Sequence, residues 1–300
     1  MVLEMGMNHE GEIRLLTNIA KPDICIITNI GTSHIGNLGS RENILKAKLE
    51  ILEGNENSTI IINNDNDLLH KWYEDNKQKK EIYTYGIKEK SDLNAKNISL
   101  CENYSEFKCD INGKECDIKV PVGGEHFVLN SLCATLVGKV LDIPVEDIVF
   151  GIEGFELTKK RMDIVEINDI KVINDAYNAS LESMKASLEY LSKVDSSRKI
   201  AVLGDMFELG EYSEELHRKV GVEVYKNKID ILICSGENAR YIIEQAKTEG
   251  MKEGSIYYFD NKDKIIEQLK GILKPGDVVL FKASNGMRFF DIAEKVKNII

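Results

Sequence analysis

The fold is decided by residues 24–40, which read ICIITNIGTSHIGNLGS. The apolar run from Ile24 to Ile30 predicts a buried strand, and the glycines after it predict a loop that contains His34. A similar pattern lies upstream, where residues 2–13 read VLEMGMNHEGEI and place Glu4 on an expected strand before a glycine-rich loop. Parallel α/β sheets bind ligands at the carboxyl ends of their strands, so the two loops together predict a site for magnesium and phosphate.

The composition is that of a soluble globular protein, since 43% of the 300 residues are hydrophobic and 30% are charged. This length predicts two domains. The net charge of −11 argues against a nucleic-acid partner, because phosphate backbones are bound by basic patches. No apolar run approaches the ~20 residues of a membrane span, and no signal peptide is recognisable. Six cysteines without a C-x-x-C pair, of which Cys25, Cys133 and Cys234 lie in apolar runs, favour a reducing cytoplasm.

The first half of the chain predicts a mostly parallel sheet with a small antiparallel element. Strands are expected at 24–30, 59–63 and 82–85, and helices at 40–52, 65–72, 125–141 and from Pro144 onward. Ser40 and Asp65 are the expected N-caps of two of these helices. The pair Asn112-Gly113 between alternating runs predicts a hairpin.

The second half predicts a doubly wound α/β domain. The pattern resets near 156–161, and two short strands at 163–167 and 171–174 flank a turn at Asn168-Asp169. Strands and helices then alternate. The strands are expected at 199–204, 230–235, 256–259 and 277–282, and the helices at 181–193, 213–227, 238–248, 262–273 and 287–299.

Three later runs complete a set of five motifs: NDAYNA at 174–179, VLGDMFELG at 202–210 and GDVVLFKAS at 276–284. Their types, order and spacing resemble the Mur ligases, a family of ATP-dependent amide-bond-forming enzymes of peptidoglycan synthesis. The resemblance implies that residues 1–157 form the central ATP-binding domain, truncated at its N-terminus. Residues 158–300 would then form the Rossmann-like C-terminal domain.

Within the family, the motifs are most similar to the members that add D-alanyl-D-alanine to a UDP-linked muramoyl tripeptide. That resemblance implies ATP and Mg²⁺ as cofactors, an acyl phosphate intermediate and a place in the cytoplasm. The P-loop that holds ATP in this family has no counterpart, since neither Gly113-Lys114 nor Gly138-Lys139 belongs to a G-x-x-x-x-G-K-[ST] run. The chain resembles the carboxyl-terminal two-thirds of such an enzyme, so we expect it to be inactive alone and to self-associate through an uncovered face.

The resemblance implies that Glu4, His34 and Lys48 hold magnesium, with Lys48 carbamylated and essential to catalysis. Carbamylation requires a neutral amine, which burial favours. The residues themselves leave plainer interpretations open. Glu4 and His34 could be solvated polar residues, and Lys48 could pair with Glu50 or Glu53.

A second set of residues is implied to bind the nucleotide. His126 and Asn130 are four residues apart on one helix face, although Phe127 stands where the family motif has an asparagine. Arg161 would reach the ATP phosphates. The loop after the second domain's second strand would contribute Asp175, Tyr177 and Asn178. The alternatives are an ordinary polar helix face for His126 and Asn130, a linker salt bridge for Arg161 and a helix-capping turn for this loop.

The substrate side is implied by the remaining motif residues, which are Asn8, His9, Asp205, Glu208, Lys282 and Ser284. Two departures from the family pattern, Asn285 and Phe290, affect the region expected to contact the incoming amine. Two other functions stay open. One is another Mur or folylpolyglutamate-type ligase, and the other is a non-catalytic nucleotide-binding module.

Overall fold

The computed structural model describes residues 1–157 and 161–298, and the chain divides into two compact units, Met1–Glu156 and Leu157–Ile300. Both units combine parallel strands with helices, which confirms the predicted α/β class. Residues 158–160 lie outside the described residues. The predicted junction near 156–161 falls largely on these residues. The predicted helix end at residue 299 also lies outside the described residues, at the carboxyl terminus.

The first unit contains a four-stranded parallel sheet in the order β1-β2-β3-β4 and a three-stranded antiparallel sheet in the order β5-β6-β7. The strands are β1 Ile24–Ile27, β2 Thr59–Asn63, β3 Ile82–Gly86, β4 Leu93–Asn94, β5 Lys96–Leu100, β6 Ser105–Ile111 and β7 Lys114–Val120. The helices are α1 Glu12–Ala20, α2 Ile35–Leu38, α3 Arg41–Leu49, α4 Asp67–Asn76, α5 Glu125–Val140 and α6 Val145–Glu153. A short 3₁₀ turn, Glu50–Glu53, follows α3 directly.

Local signals set several of these boundaries. The Ser40 hydroxyl accepts the backbone N–H of Asn43 at 3.1 Å and starts α3 where the sequence predicted. Asn112 and Gly113 have φ angles of 55° and 81°, the left-handed pair that a two-residue hairpin between β6 and β7 requires.

Two predictions for this unit are wrong. Residues 2–5 form no strand: a strand exists only through pairing, and β1 ends the sheet order with no described segment on its far side. Asp65 does not cap α4, because Asn66 does so by accepting the Leu69 N–H at 3.2 Å. The Asp65 carboxylate instead accepts three successive backbone N–H groups at residues 87–89. The helix α1 was also missed.

The second unit is built on a six-stranded sheet in the order β12-β11-β10-β13-β9-β8, in which only β8 runs antiparallel to its neighbour. The strands are β8 Asp163–Ile167, β9 Ile170–Asn174, β10 Arg198–Gly204, β11 Ile231–Ser235, β12 Ile256–Tyr258 and β13 Asp277–Lys282. The helices are α7 Leu181–Lys193, α8 Ser213–Lys226, α9 Ala239–Glu249, α10 Lys262–Ile272 and α11 Phe289–Lys297.

The chain order creates a switch point in this sheet. From β10 the chain moves outward through β11 to β12 and then returns to β13 on the other side of β10. In such sheets the crevice for ligands opens at the carboxyl ends of the two strands that flank the switch. The loops after β10 and β13 therefore border this crevice, and both carry predicted site residues.

The interior of the second unit is apolar and closely packed around the central strands. Val202, Val279 and Phe281 are fully buried between the sheet and α11. All six cysteines are free, and Cys25, Cys133 and Cys234 are buried as the apolar runs predicted. Within residues 1–157 and 161–298, no helix is long and apolar enough to cross a membrane.

Candidate functional site

The upstream predicted loop is held in place by a buried carboxylate. Glu50 is only 3% exposed, and it accepts the backbone N–H groups of Gly11 at 2.8 Å and of Arg14 at 3.0 Å. Glu12 in turn accepts the N–H groups of Asn8 at 2.6 Å and of His9 at 3.1 Å. The backbone of this loop is therefore pinned, while the side chains of Asn8 and His9 stay exposed to solvent.

The second predicted loop is held mainly by side chains of α3. The Lys48 ammonium donates to the backbone carbonyl of Asn29 at 2.6 Å, and Asn66 donates to the Asn29 side-chain oxygen at 2.9 Å. Arg41 donates to the Ile30 carbonyl at 2.8 Å. His34 follows in the left-handed conformation, with φ of 62°, at the start of α2.

Lys48 and Glu50 thus bind different loops although they are only two residues apart. The sequence left open a pairing of Lys48 with Glu50 or Glu53. The structure gives both carboxylates other partners, since Glu50 binds the start of α1 and Glu53 accepts from the Arg14 side chain at 2.6 Å. The end of α3 is therefore the point that brings the two motif loops together.

The predicted magnesium ligands fit the metal unequally. Among the described residues, no group of three or more His, Cys, Asp or Glu side chains is arranged to hold a metal ion. Magnesium is commonly bound by one or two carboxylates, with phosphate and water oxygens completing its shell. Glu4 supplies such an oxygen donor from an exposed position. Lys48 in its unmodified form is a hydrogen-bond donor and not a ligand.

The predicted nucleotide residues of α5 separate in the structure. A cavity of about 440 Å³ lies between α5 and α6, and Asn130 lines it whereas His126 does not. The cavity is mainly apolar, with Phe127 and Phe155 in its lining and their ring centroids 6.3 Å apart. His126 instead lies against the Phe127 ring at 4.1 Å. Sequence reasoning missed this cavity, although Phe127 at an expected asparagine position was a visible signal.

In the second unit, the loop after β9 is tied to β13 by a buried ion pair. The Asp175 carboxylate lies 2.6 Å from the Lys282 ammonium and accepts the Ser187 hydroxyl at 2.6 Å. Lys282 is 3% exposed and also donates to the Asn178 carbonyl at 3.2 Å. These predicted site residues therefore shape the loop, whatever else they contact.

Two predicted nucleotide residues remain accessible beside that loop. Tyr177 is 45% exposed, and the Arg161 guanidinium lies over its ring at 4.1 Å from the centroid. A guanidinium stacked on an aromatic face keeps its N–H groups free at the edge, where they can meet a phosphate. The Tyr177 backbone is fixed by Asn285, which donates to its carbonyl at 2.9 Å.

The residues predicted on the incoming-amine side are mostly internal. Asp205 is 5% exposed, and one of its oxygens accepts the N–H groups of Asn238 at 3.0 Å and Ala239 at 2.7 Å. Ser284 is 3% exposed and accepts the Phe207 N–H at 2.8 Å. Glu208 alone is exposed, in a left-handed conformation with φ of 63°. Three of the four therefore build the crevice between β10 and β13, because they hold its loops.

A histidine that sequence reasoning missed supports the same crevice. His217 is fully buried, its Nε2 accepts the Met206 N–H at 3.0 Å, and its Nδ1 donates to the Ser213 carbonyl at 2.7 Å. This pattern requires a neutral ring. Burial lowers the pKa of His217 below its ordinary value of 6.5, and burial raises the pKa of the neighbouring Asp205 carboxyl.

A pH-dependent loss of stability follows from His217. Because its pKa is lower in the folded chain, the unfolded chain binds the proton first. The free energy of unfolding should therefore fall as the pH drops below about 6.5, by at most about 1.4 kcal/mol per pH unit. Denaturant titrations between pH 7.5 and 5.5 measure this slope, with His217→Gln as the comparison. An equal slope in both proteins would show that His217 does not cause the loss.

Comparisons with known proteins agree with this arrangement. The sequence profile described as the Mur ligase middle domain matches residues 1–138, and that of the Mur ligase glutamate ligase domain matches residues 160–285. The UDP-N-acetylmuramoyl-tripeptide-D-alanyl-D-alanine ligase of Bacillus subtilis is 37% identical over 302 residues, which cover 100% of this chain and 64% of that protein. The corresponding Escherichia coli ligase is 28% identical over 93% of this chain and 60% of its own length.

Solved structures give the same relationship. A crystal structure of MurF from Acinetobacter baumannii matches with a TM-score of 0.89 and 27% identity, over 99% of this chain and 64% of its own. The MurF ligase of Thermotoga maritima in complex with ADP matches with a TM-score of 0.85 and 28% identity, over 99% and 66%. The chain thus spans about 64% of the length of the curated relative from Bacillus subtilis. Because both domain profiles match in order and the similarity to these ligases extends along this whole chain, the chain belongs to the Mur ligase family.

Proposed function

We propose that the chain is the catalytic part of an ATP-dependent ligase that adds D-alanyl-D-alanine to a UDP-linked muramoyl tripeptide during peptidoglycan synthesis in the cytoplasm. The observation that carries the proposal is that side chains at the end of α3 hold both motif loops. There Glu50 binds the backbone of the Gly11 loop, and Lys48 binds the backbone of the Asn29 loop. Two separate sequence motifs are thereby held by neighbouring residues, as a shared site for nucleotide and acyl group requires.

In the proposed reaction, ATP converts the tripeptide carboxylate to an acyl phosphate, and the dipeptide amino group displaces phosphate to form the amide. The protein's contribution is positioning and charge neutralisation. The adenine would occupy the apolar cavity between α5 and α6, where Asn130 offers amide hydrogen bonds. Arg161, stacked on Tyr177, would contact phosphate oxygens, and ADP in the Thermotoga maritima relative supports a nucleotide site.

Magnesium would be held by Glu4 and His34 together with phosphate oxygens, and it would neutralise phosphate charge. Lys48 would join this set as a carbamate, formed when its neutral amine adds carbon dioxide and releases a proton. Asn8 and His9, exposed on a pinned backbone, would face the muramoyl peptide. Asp205, Ser284 and Lys282 would act by holding the crevice loops, and Glu208 by direct contact.

A chimera tests this proposal directly. Residues 1–300 would replace the matched 64% of the Bacillus subtilis ligase. We expect phosphate release that requires ATP, the UDP-linked tripeptide and D-alanyl-D-alanine together. Ligation of another amino acid in preference to the dipeptide would instead support a different Mur or folylpolyglutamate-type ligase. A folded chimera that binds ADP and ligates none of these amines would support the nucleotide-binding module.

We expect the 300-residue chain by itself to self-associate. Its α1 exposes Leu15 at 64% and Ile19 at 75%, and Val2 and Leu3 are exposed nearby in sequence at 97% and 57%. Apolar groups exposed together favour association, and β1 adds a sheet edge that no strand of the described residues covers. Sedimentation velocity should show mass rising with concentration, and Leu15→Glu with Ile19→Lys should lower it.

The control for this experiment is Phe150→Lys. Phe150 is 77% exposed on α6, so this variant removes an exposed apolar side chain from a different helix. A wild-type chain that stays monomeric at every concentration would contradict the expectation. So would equal effects of the α1 and α6 variants, because association would then be nonspecific.

A further inference from the structure

A cavity that none of the predicted site residues lines opens at the carboxyl ends of β11 and β12. Its volume is about 660 Å³, within the range of small-molecule sites. The β11 side contributes the end of the strand and the loop after it, residues 235–237, with Arg240 from the first turn of α9. The β12 side contributes Tyr258 at the end of the strand, with Asp260 and Asn261 from the loop after it. The third wall comes from Met287 and α11, so the cavity also adjoins the segment that follows β13.

The β11 wall is held rigidly in shape from inside the domain. The buried Asp205 carboxylate accepts two N–H groups at the start of α9. Gly236 has a φ of 124° and packs directly on that carboxylate, so any side chain there would collide with it. On the other side, the Tyr258 hydroxyl donates to the Gly236 carbonyl at 3.2 Å. The cavity is therefore preformed.

The charges of the lining single out Arg240. Three of the four lining carboxylates are already in ion pairs: Asp260 with Lys264 at 2.9 Å, Asp263 with Lys295 at 3.6 Å and Asp291 with Arg288 at 2.8 Å. Lys295 is thereby also paired. Within the described part of the chain, no ion pair includes Glu237 or Arg240. The Arg240 guanidinium donates to the Tyr241 hydroxyl at 3.3 Å and lies beside its ring, and the Glu237 and Glu244 carboxylates act on it electrostatically from further away.

The lining suits a small zwitterion better than a polyphosphate. Four carboxylates against two cations repel a multiply charged anion, whereas the Arg240 guanidinium, which forms no ion pair within the described residues, matches one carboxylate in a two-pronged hydrogen bond. Glu237 supplies a negative charge for a ligand's positive end. The side chains of Ile266, Met287 and Ile292 add an apolar surface for small aliphatic groups.

We propose that this cavity binds the carboxyl-terminal residue of a small zwitterionic peptide, with the peptide carboxylate on Arg240. The inference rests on the proposed function, in which the incoming amine is D-alanyl-D-alanine. The dipeptide's methyl group lies on the apolar surface, and its amino end points toward the crevice between β10 and β13. Arg240 is then a specificity residue for the amine substrate, and Asp205 is the residue that positions its loop.

The first test uses the 300-residue chain and calorimetric titration with D-alanyl-D-alanine. Loss of a charge-assisted hydrogen bond should weaken binding about 10-fold or more in Arg240→Met. The dipeptide carboxamide should bind the unaltered chain as weakly as the acid binds this variant, and the variant should not weaken it further. The control is Lys247→Met, which removes a cation at the far end of α9 and should leave binding unchanged.

The proposal is overturned if acid and carboxamide bind the unaltered chain equally, if no dipeptide binding is detected, or if Arg240→Met binds as well as the unaltered chain. The chimera separates this failure from failure of the proposed function. There, Arg240→Met should raise KM for the dipeptide about 10-fold and leave kcat unchanged. Ligation with an unaltered KM would reject the cavity and keep the function. Arg240-dependent dipeptide binding without any ligation would keep the cavity and reject the function.

Discussion

We expect Lys48→Ala to lower ligation by the chimera about 100-fold or more, because one side chain positions a catalytic loop and supplies a reactive amine. The Lys48 ammonium lies 2.6 Å from the Asn29 carbonyl, so its removal takes away one of the hydrogen bonds that hold the loop leading to His34. It also removes the amine that would be carbamylated. Phosphate release under saturating substrates measures the loss.

The matched control is Lys46→Ala, two residues earlier on the same helix. Lys46 is 67% exposed and pairs with Glu10 at 2.7 Å, a surface ion pair of the kind that contributes little. We expect it to keep nearly full activity. If Lys48→Ala also keeps nearly full activity, the catalytic role belongs to another residue.

A separate measurement distinguishes the carbamate from simple bracing of the loop. With ¹³C-labelled bicarbonate, the unaltered chain should show a carbamate carbon signal that Lys48→Ala lacks and Lys46→Ala retains. Small carboxylic acids should partly restore activity to Lys48→Ala, because they replace the lost carboxylate. A labelled signal that persists in Lys48→Ala would assign the carbamate to a different lysine. Acid must be avoided, since it releases the carbon dioxide.

Elements with local signals were predictable from the sequence. The cap at Ser40, the hairpin at Asn112-Gly113 and the helix from Leu181 to Lys193 all depend on neighbours within a few residues. The wrong strand at residues 2–5 shows the limit of that reasoning. An apolar run becomes a strand only when a partner lies beside it, and partnership is a property of the assembled sheet.

The loops of the candidate site were predictable from the sequence, whereas the orientations of its side chains were not. Motif positions predicted Lys48, Asn130 and Arg161 as site residues. In the structure, Lys48 donates to a loop carbonyl, Asn130 lines a cavity and Arg161 stacks on an aromatic ring. No local pattern shows whether a polar residue at a strand end points into the protein or out of it. Ser284 was therefore predicted to face substrate, although its hydroxyl binds the Phe207 N–H. His217 carried no signal, because its partner Met206 lies on a separate element.

The other large effect should come from breaking the buried pair between Lys282 and Asp175. The two side chains are 3% and 13% exposed and 2.6 Å apart, so removing the cation leaves a buried carboxylate without its main partner. Such a loss costs about 3–5 kcal/mol. We therefore expect Lys282→Met to lower the free energy of unfolding of the second unit by that amount. Denaturant unfolding followed by circular dichroism measures it, and Lys219→Met, at a 53% exposed lysine, should change little.

A double variant decides whether the cost comes from the unpaired charge. Lys282→Met combined with Asp175→Asn removes both charges, while the asparagine can still accept the Ser187 hydroxyl that now contacts Asp175 at 2.6 Å. The double variant should therefore be more stable than Lys282→Met alone, because a neutral amide is far less costly to bury than an unpaired carboxylate. The loss of stability in the double variant is compared with the sum of the losses in Lys282→Met and Asp175→Asn. If the two are equal, the residues are not coupled, and the stabilisation by Lys282 comes from its packing and its contact with the Asn178 carbonyl. A coupled result would show that the two charges stabilise the second unit as a pair, across the loop that begins at Asp175 and the end of β13.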